Sequence, residues 1–270
     1  MRLPPDERGP TEVFGPLAED YARFRPTYPD ELFNALDARL GGALGLALDL
    51  ATGTGAAVLP LLDRGARGVA VEPNRSMLAR ARRRLGGRAG WMGAVAARAE
   101  CLPMAAGAAS CVTVAQAFHW FEPAPALEEI ARVLRPGGVL ALLWNVTVPD
   151  AFTDEVRDLI ARHAPGHGRP VTRSMLATPE PLAGHPAFAV EPPAEFAHQR
   201  PMTEDDYVGY AFSWSYCGGA LSRDERVPFE RELREAIRRH HPDGAWPERL
   251  IAVAHFARRV GADHDSVAGG

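Results

Sequence analysis

Two hundred and seventy residues, 46% hydrophobic and 24% charged, sit near the globular average and exclude a disordered or fibrous chain. Thirty basic against 34 acidic residues leave a formal net charge of −4, without the cationic excess that a nucleic-acid-coating protein needs. Every basic residue is arginine, so chemistry through a lysine Schiff base is excluded.

Cys101, Cys111 and Cys217 are scattered and form no C-x-x-C pair. Neither a disulfide framework nor a cysteine zinc site is expected, and a reducing cytoplasm fits. The opening Met1-Arg2-Leu3-Pro4-Pro5 lacks the apolar core of a secretory signal, and no apolar run approaches the roughly 18–20 residues that cross a bilayer. The expectation is a soluble, cytoplasmic protein without membrane or nucleic-acid partners, monomeric or homodimeric.

Residues 1–12, rich in proline, glycine and charge, read as a frayed end. Pro29-Asp30-Glu31 then opens a helix with Leu32, Phe33, Leu36 and Leu40 on one face, stopped by Gly41-Gly42. Leu46–Leu50 and Gly68–Glu72 read as buried strands. Asn74 caps a helix through Leu85, whose arginines form a solvated face. Trp91–Val95 is a weak third strand, Cys111–Ala115 a fourth, Pro125–Leu134 a helix, and Val139–Trp144 a fifth strand. Strands alternating with helices at these lengths imply right-handed crossovers and a parallel sheet covered on both faces. Beyond Asp150 the pattern weakens. Helices are expected at 152–163, 203–212 and 222–239, and Leu250–Phe256 reads as a late strand.

Asp49-Leu50-Ala51-Thr52-Gly53-Thr54-Gly55 joins the first strand to the next helix. Glycine there permits positive φ and close approach of a ligand to the backbone. Pro60 falls inside the following helix, which predicts a kink or a late start and weakens any pull of its dipole. Glu72 ends the second strand, placed to accept hydrogen bonds from both hydroxyls of a ribose. A nucleoside-containing ligand at the carboxyl edge of the sheet is the reading. A dinucleotide fingerprint wants a third glycine where this chain has Val58, and Asp49 suits an ammonium group that a dinucleotide lacks.

Six blocks then carry a family likeness. They are Tyr21–Pro29, Asp49–Gly55, Val71–Asn74 with Met77, Ala99–Pro103, Gln116–Phe121 and Leu134–Gly138. In that order and spacing the chain resembles the class I S-adenosylmethionine-dependent methyltransferases. Within them it is most similar to the group of trans-aconitate and ubiquinone/menaquinone-biosynthesis methyltransferases. The likeness is firm over residues 13–145 and thin beyond. It implies a Rossmann-like, doubly wound, mostly parallel seven-stranded sheet with an N-terminal helical cap and a helical lid in the C-terminal half. The expected segments are a cap at 1–40, an S-adenosylmethionine-binding core at 41–150, a variable substrate lid with late sheet elements at 151–245, and a last strand and tail at 246–270, in one structural domain overall.

The resemblance also implies roles. Glu72 would hold the ribose, Met77, Ala99 and Glu100 the adenine, and Asp49, Ala51, Gly53 and Gly55 the methionine part, with Pro73 also at the cofactor. Gln116 would lie below the sulfonium, with Tyr21 and Arg25 closing over the cofactor. Ala51 and Arg98 depart from the common pattern, Ala51 standing where glycine is usual. The implied reaction moves a methyl group from S-adenosylmethionine to a small molecule, a secondary metabolite with an aromatic or apolar body, and leaves S-adenosylhomocysteine. The acceptor atom, oxygen, nitrogen or carbon, stays open. So does the alternative of non-methylating chemistry or simple binding on the same fold.

His119 is the candidate base, with pocket shaping as the other reading. Tyr28, Trp120, Trp144, Asn145, Trp214 and Tyr216 are candidates for lining the acceptor. For Asn145 a turn role stands beside this, and for Trp214 packing within the lid. His163 and His167 are spaced like a metal pair, but Pro165 and Gly166 between them break the helix that would align them, so no metal is expected.

Overall fold

The computed structural model describes residues 22–42, 44–165, 178–214, 217 and 221–261. They fall into two compact units. Residues within 28–144, 178–196 and 252–261 form a sheet unit, and those within 22–27, 145–165 and 197–251 a helical unit.

The sheet unit begins with α1 (Asp30–Arg39), with two acids in its first turn and an arginine in its last, each favourable to the helix dipole. Leu32, Phe33 and Leu36 of α1 are fully buried and pack in one cluster with Ala47, Leu61, Val139, Ala141 and Phe256. β1 (Leu46–Leu50), α2 (Val58–Asp63), β2 (Arg67–Val71), α3 (Arg75–Leu85) and β3 (Trp91–Val95) follow the expected alternation. So do β4 (Ala109–Ala115), α4 (Pro123–Val133) and β5 (Leu134–Thr147). β1 pairs in parallel with β2 and β4, β2 with β3, and β4 with β5.

The fifth strand starts earlier than its apolar run. Ala109 pairs with Leu134 and Cys111 with Val139, so Arg135–Gly138 bulges out of register between them. The helix after the glycine turn does start late, as Pro60 required: it has six residues and begins at Val58.

The helical unit carries α5 (Ala151–His163), α7 (Glu204–Phe212) and α8 (Arg223–His240), matching the three helices expected; α6 (Glu180–Ala183) is a single turn of the sheet unit. Asp150 with Thr153 and Ser222 with Glu225 form reciprocal capping boxes that start α5 and α8. Phe152, Leu159, Tyr207, Ala211, Phe229 and Leu233 meet in this unit's own core.

The remaining strands are β6 (Phe188–Val190), β7 (Ala194–Thr203) and β8 (Ala245–Arg259). The strand order is β3-β2-β1-β4-β5-β8-β6, with β7 also paired to β8, which makes eight strands rather than seven. β7 went unread because its residues alternate between half-buried and exposed, and Ala-Glu-Phe-Ala-His-Gln-Arg-Pro carries little apolar signal. Among the described residues no helix is long and apolar enough to cross a membrane.

Gly68 on β2 lets α2 lie close on the sheet. A Cβ there would meet Leu62 Cδ2 at 2.8 Å and Val58 Cγ2 at 2.9 Å. Gly68→Ala is therefore expected to destabilise the protein by about 1–3 kcal/mol, the usual cost of overpacking. The midpoint of urea unfolding measures it.

Candidate functional site

The parallel strands β1, β2, β4 and β5 present their carboxyl ends on one edge, where open sheets of this kind bind ligands. Asp49 occupies the fourth position of β1 and is 1% exposed. Its register partner on β4 is Thr113, whose hydroxyl donates to Oδ1 at 2.6 Å. Thr52, in the glycine turn, donates to Oδ2 at 2.5 Å, and the Val58 backbone amide supplies a further hydrogen bond. All of these donors are neutral. Desolvation consequently dominates, and burial pushes the carboxyl from 3.8 up to about 6 against the pull of those hydrogen bonds, with nearby Glu72 adding to the rise.

Glu72, just past β2, stitches two turns together. Its Oε2 accepts from the Gly53 amide and its Oε1 from the Asn74 amide, both at 2.9 Å. Burial raises its pKa, and these two amides oppose the rise. Pro73 between them has no N–H to compete. Asn74 in turn accepts from the amides of Ser76 and Met77 to cap α3, which leaves Met77 buried behind the turn.

The turn itself is left-handed at three positions. Ala51, Gly53 and Gly55 have φ of 49°, 56° and 84°. Glycine meets that demand freely; Ala51 does not, so the departure from glycine is a locally strained backbone. A Cβ on Gly55 would also meet Leu85 Cδ1 at 2.8 Å. The turn is thus a backbone cradle flanked by two buried carboxyls, an acceptor set that suits a ligand carrying both an ammonium group and ribose hydroxyls.

Further along the edge, Gln116 follows β4 with φ of 58°, and its amide donates to the Leu143 carbonyl at 2.8 Å. A short 3-10 turn, Phe118–Trp120, then presents His119 exposed. The imidazole lies 4.9 Å from the Trp120 ring and 5.4 Å from that of Trp144, tilted by 41° and 32°. Trp144 is buried near the end of β5. Tyr28 is buried edge-on to Phe33 at 6.5 Å, a core position. Ala99 is buried, while the Glu100 carboxylate bonds the Glu122 amide at 3.0 Å and Arg98 at 3.1 Å. Arg98, unusual by the family pattern, is thus the ion-pair partner of Glu100; burial raises the Glu100 pKa, but the Glu122 amide first and then Arg98 outweigh it, and the net shift is downward.

The other expected residues belong to the helical unit. Arg25 donates to the Ser213 carbonyl at 3.0 Å. Asn145 donates to the Thr27 carbonyl at 3.0 Å, and its Oδ1 meets His198 Nε2 at 2.9 Å, so the amide ties chain segments together. Trp214 packs on Tyr210 and Tyr207 within this unit's core, the lid-packing alternative. Tyr21, Tyr216 and His167 lie outside the described residues. His163 pairs with Glu232 at 3.2 Å. His240 is the last residue of α8, and its Nε2 lies 2.9 Å from Glu155 Oε2. No cluster suited to a metal occurs among the described residues. Sequence reasoning missed Thr52 and Thr113 as supports of Asp49. The signal was there for Thr113, a lone hydroxyl inside the buried run Cys-Val-Thr-Val-Ala.

Residues 48–142 match the methyltransferase domain family. The chain is 40% identical over 205 residues to an uncharacterised methyltransferase of Mycobacterium tuberculosis, covering 76% of this chain and 77% of the relative. It is 42% identical over 112 residues to a demethylmenaquinone methyltransferase of Thermus thermophilus, covering 40% of this chain and 51% of that one. Among solved structures it is similar to a candidate type II methyltransferase from Anaeromyxobacter dehalogenans. Identity there is 27% and the TM-score 0.60, over 88% of this chain and 98% of that chain.

Asp49 makes a prediction about stability. The unfolded chain releases this proton near pH 3.8, whereas the folded protein holds it up to about pH 6. Its contribution is therefore fully favourable below about pH 4 and is lost as pH rises to 6, on the order of 3 kcal/mol. Asp49→Asn should stabilise the ligand-free protein at pH 7 and change little at pH 4. Urea unfolding at the two pH values tests this.

Proposed function

Because this chain belongs to the class I methyltransferases, we propose that it moves the methyl group of S-adenosylmethionine onto a small-molecule acceptor with an aromatic or apolar body. The observation that carries this reading is Asp49, a fully buried carboxyl whose hydrogen-bond donors are all neutral, set beside a left-handed backbone cradle. Such a group gains most from a cationic ligand atom, and the amino group of the cofactor is one.

Asp49 with the Ala51–Gly55 backbone would hold the methionine part. Glu72 has both oxygens fixed by backbone amides and keeps lone pairs for two ribose hydroxyls. Met77 and Ala99 would bound the adenine, and Gln116 would lie toward the sulfur. The bound cofactor supplies an electrophilic methyl on a positively charged leaving group, so positioning provides most of the acceleration. His119 would stand at the acceptor, able to take a proton where the nucleophile must lose one. Trp120, half-buried, would offer a flat face to an aromatic body, with the buried Trp144 behind His119. The reading needs no metal ion and assigns no role to nucleic acid or membrane.

Calorimetry with S-adenosylhomocysteine, and with NADH as the control, tests the cofactor assignment. Binding of S-adenosylhomocysteine alone is expected; binding of NADH alone would overturn it. Its affinity should hold above pH 7 and weaken as pH falls below 6, approaching tenfold per unit, because a protonated Asp49 no longer pairs with an ammonium. Asp49→Asn should flatten that profile. Methyl transfer from radiolabelled cofactor to a panel of aromatic acceptors then tests His119. His119→Ala should lower turnover roughly 10²–10⁴-fold while leaving S-adenosylhomocysteine affinity unchanged.

A further inference from the structure

The indole nitrogen of Trp144 is enclosed and has no hydrogen-bond partner among the described residues. Indole N–H only donates, and native structures leave few such groups buried without an acceptor. Where one persists, a functional explanation is due. Trp144 lies one residue beyond the Ala115–Leu143 pair, so it stands beside Gln116 at the carboxyl edge of two parallel strands.

Two independent features mark the same spot. Gln116 holds a φ of 58°, a region that residues with side chains enter sparingly and that recurs at ligand sites. The exposed His119 ring packs near both the Trp144 and Trp120 rings. A buried donor, a strained backbone and an exposed imidazole thus meet where the parallel strands end.

We infer that the Trp144 indole N–H is a positioning donor for the methyl acceptor, which accordingly carries a hydrogen-bond-accepting oxygen: a carbonyl, carboxylate or phenolic oxygen. The inference rests on the methyl-transfer reading and narrows its substrate class. An acceptor with such an oxygen satisfies the indole once it reaches the enclosed nitrogen, while its ring lies against Trp120. An amine or hydrocarbon without oxygen leaves the donor unbonded, and sites built around a donor reject analogues that lack its partner.

The five tryptophans give five indole N–H resonances, and loss of one in Trp144→Phe identifies that of Trp144. Should that variant fail to fold, triple-resonance assignment of the unaltered protein serves instead. S-adenosylhomocysteine is added first, then 4-hydroxybenzoate, 2-naphthol or 1-tetralone, with naphthalene and aniline as oxygen-free controls. The expected result is a downfield shift of the Trp144 indole proton with at least one oxygen-bearing probe, and none with the controls or with S-adenosylhomocysteine alone. In Trp144→Phe the responding probe should bind about tenfold more weakly, with S-adenosylhomocysteine affinity unchanged. A shift on S-adenosylhomocysteine alone would give the donor to the cofactor and overturn the inference. A silent indole with every oxygen-bearing probe, while S-adenosylhomocysteine binds, overturns the inference and leaves methyl transfer standing. Failure of S-adenosylhomocysteine to bind removes both.

Discussion

The carboxyl edge of this sheet is organised around the cost of burying Asp49. A carboxylate taken out of water must be repaid in hydrogen bonds, and here Thr113, Thr52 and Val58 supply them from three separate segments. Thr113 does so because β4 pairs with β1 in a register that sets it opposite Asp49. Thr52 does so because the turn leaves β1 through the left-handed Ala51. The repayment is incomplete, since all three donors are neutral and desolvation still holds the pKa near 6. That residual instability is the sort of strain a binding site retains: a cationic ligand atom beside Asp49 would relieve it and turn stability lost by the free protein into affinity.

Glu72 extends the same logic sideways. One carboxylate accepts from Gly53 in the first turn and Asn74 in the second, so the two strand ends move as a piece. Asn74 then passes the order into α3 by capping it. The short α2 does not contribute a dipole of any consequence, because Pro60 confines it to one and a half turns or so. Anchored side chains and backbone amides, rather than a helix end, define the cradle.

What could be read from the sequence follows from how local its cause is. Strands β1, β2, β4 and β5 announced themselves because a parallel sheet covered on both faces needs unbroken apolar runs, and Leu46–Leu50 or Val139–Trp144 supply them; β3, half-buried and holding Gly93, read only weakly. The glycine turn and Glu72 were legible because their geometry depends on residues within one crossover. β7 was not legible, since a half-exposed strand with Glu195, His198 and Arg200 has no apolar run to find. Nor were the partners of Arg25 and Asn145. Their bonds to Ser213, Thr27 and His198 span up to 188 residues, and nothing in either sequence neighbourhood encodes them. Trp214 was ambiguous for a different reason: an aromatic cluster reads the same whether it lines a pocket or fills a core, and here it fills one.

The same contrast bears on why cofactor and acceptor specificity separate in such a fold. On the methyl-transfer reading the cofactor side would be written in charge and backbone conformation: a buried acid whose donors are neutral, and a run of positive φ. The acceptor side would be written in rings and the unbonded Trp144 indole. Rings discriminate weakly, because stacking tolerates any flat partner of suitable size. A buried donor discriminates strongly, because the penalty for leaving it unbonded falls on every molecule that lacks the matching acceptor. On that reading, selection at the Trp144 edge would depend less on the aromatic surface than on one N–H.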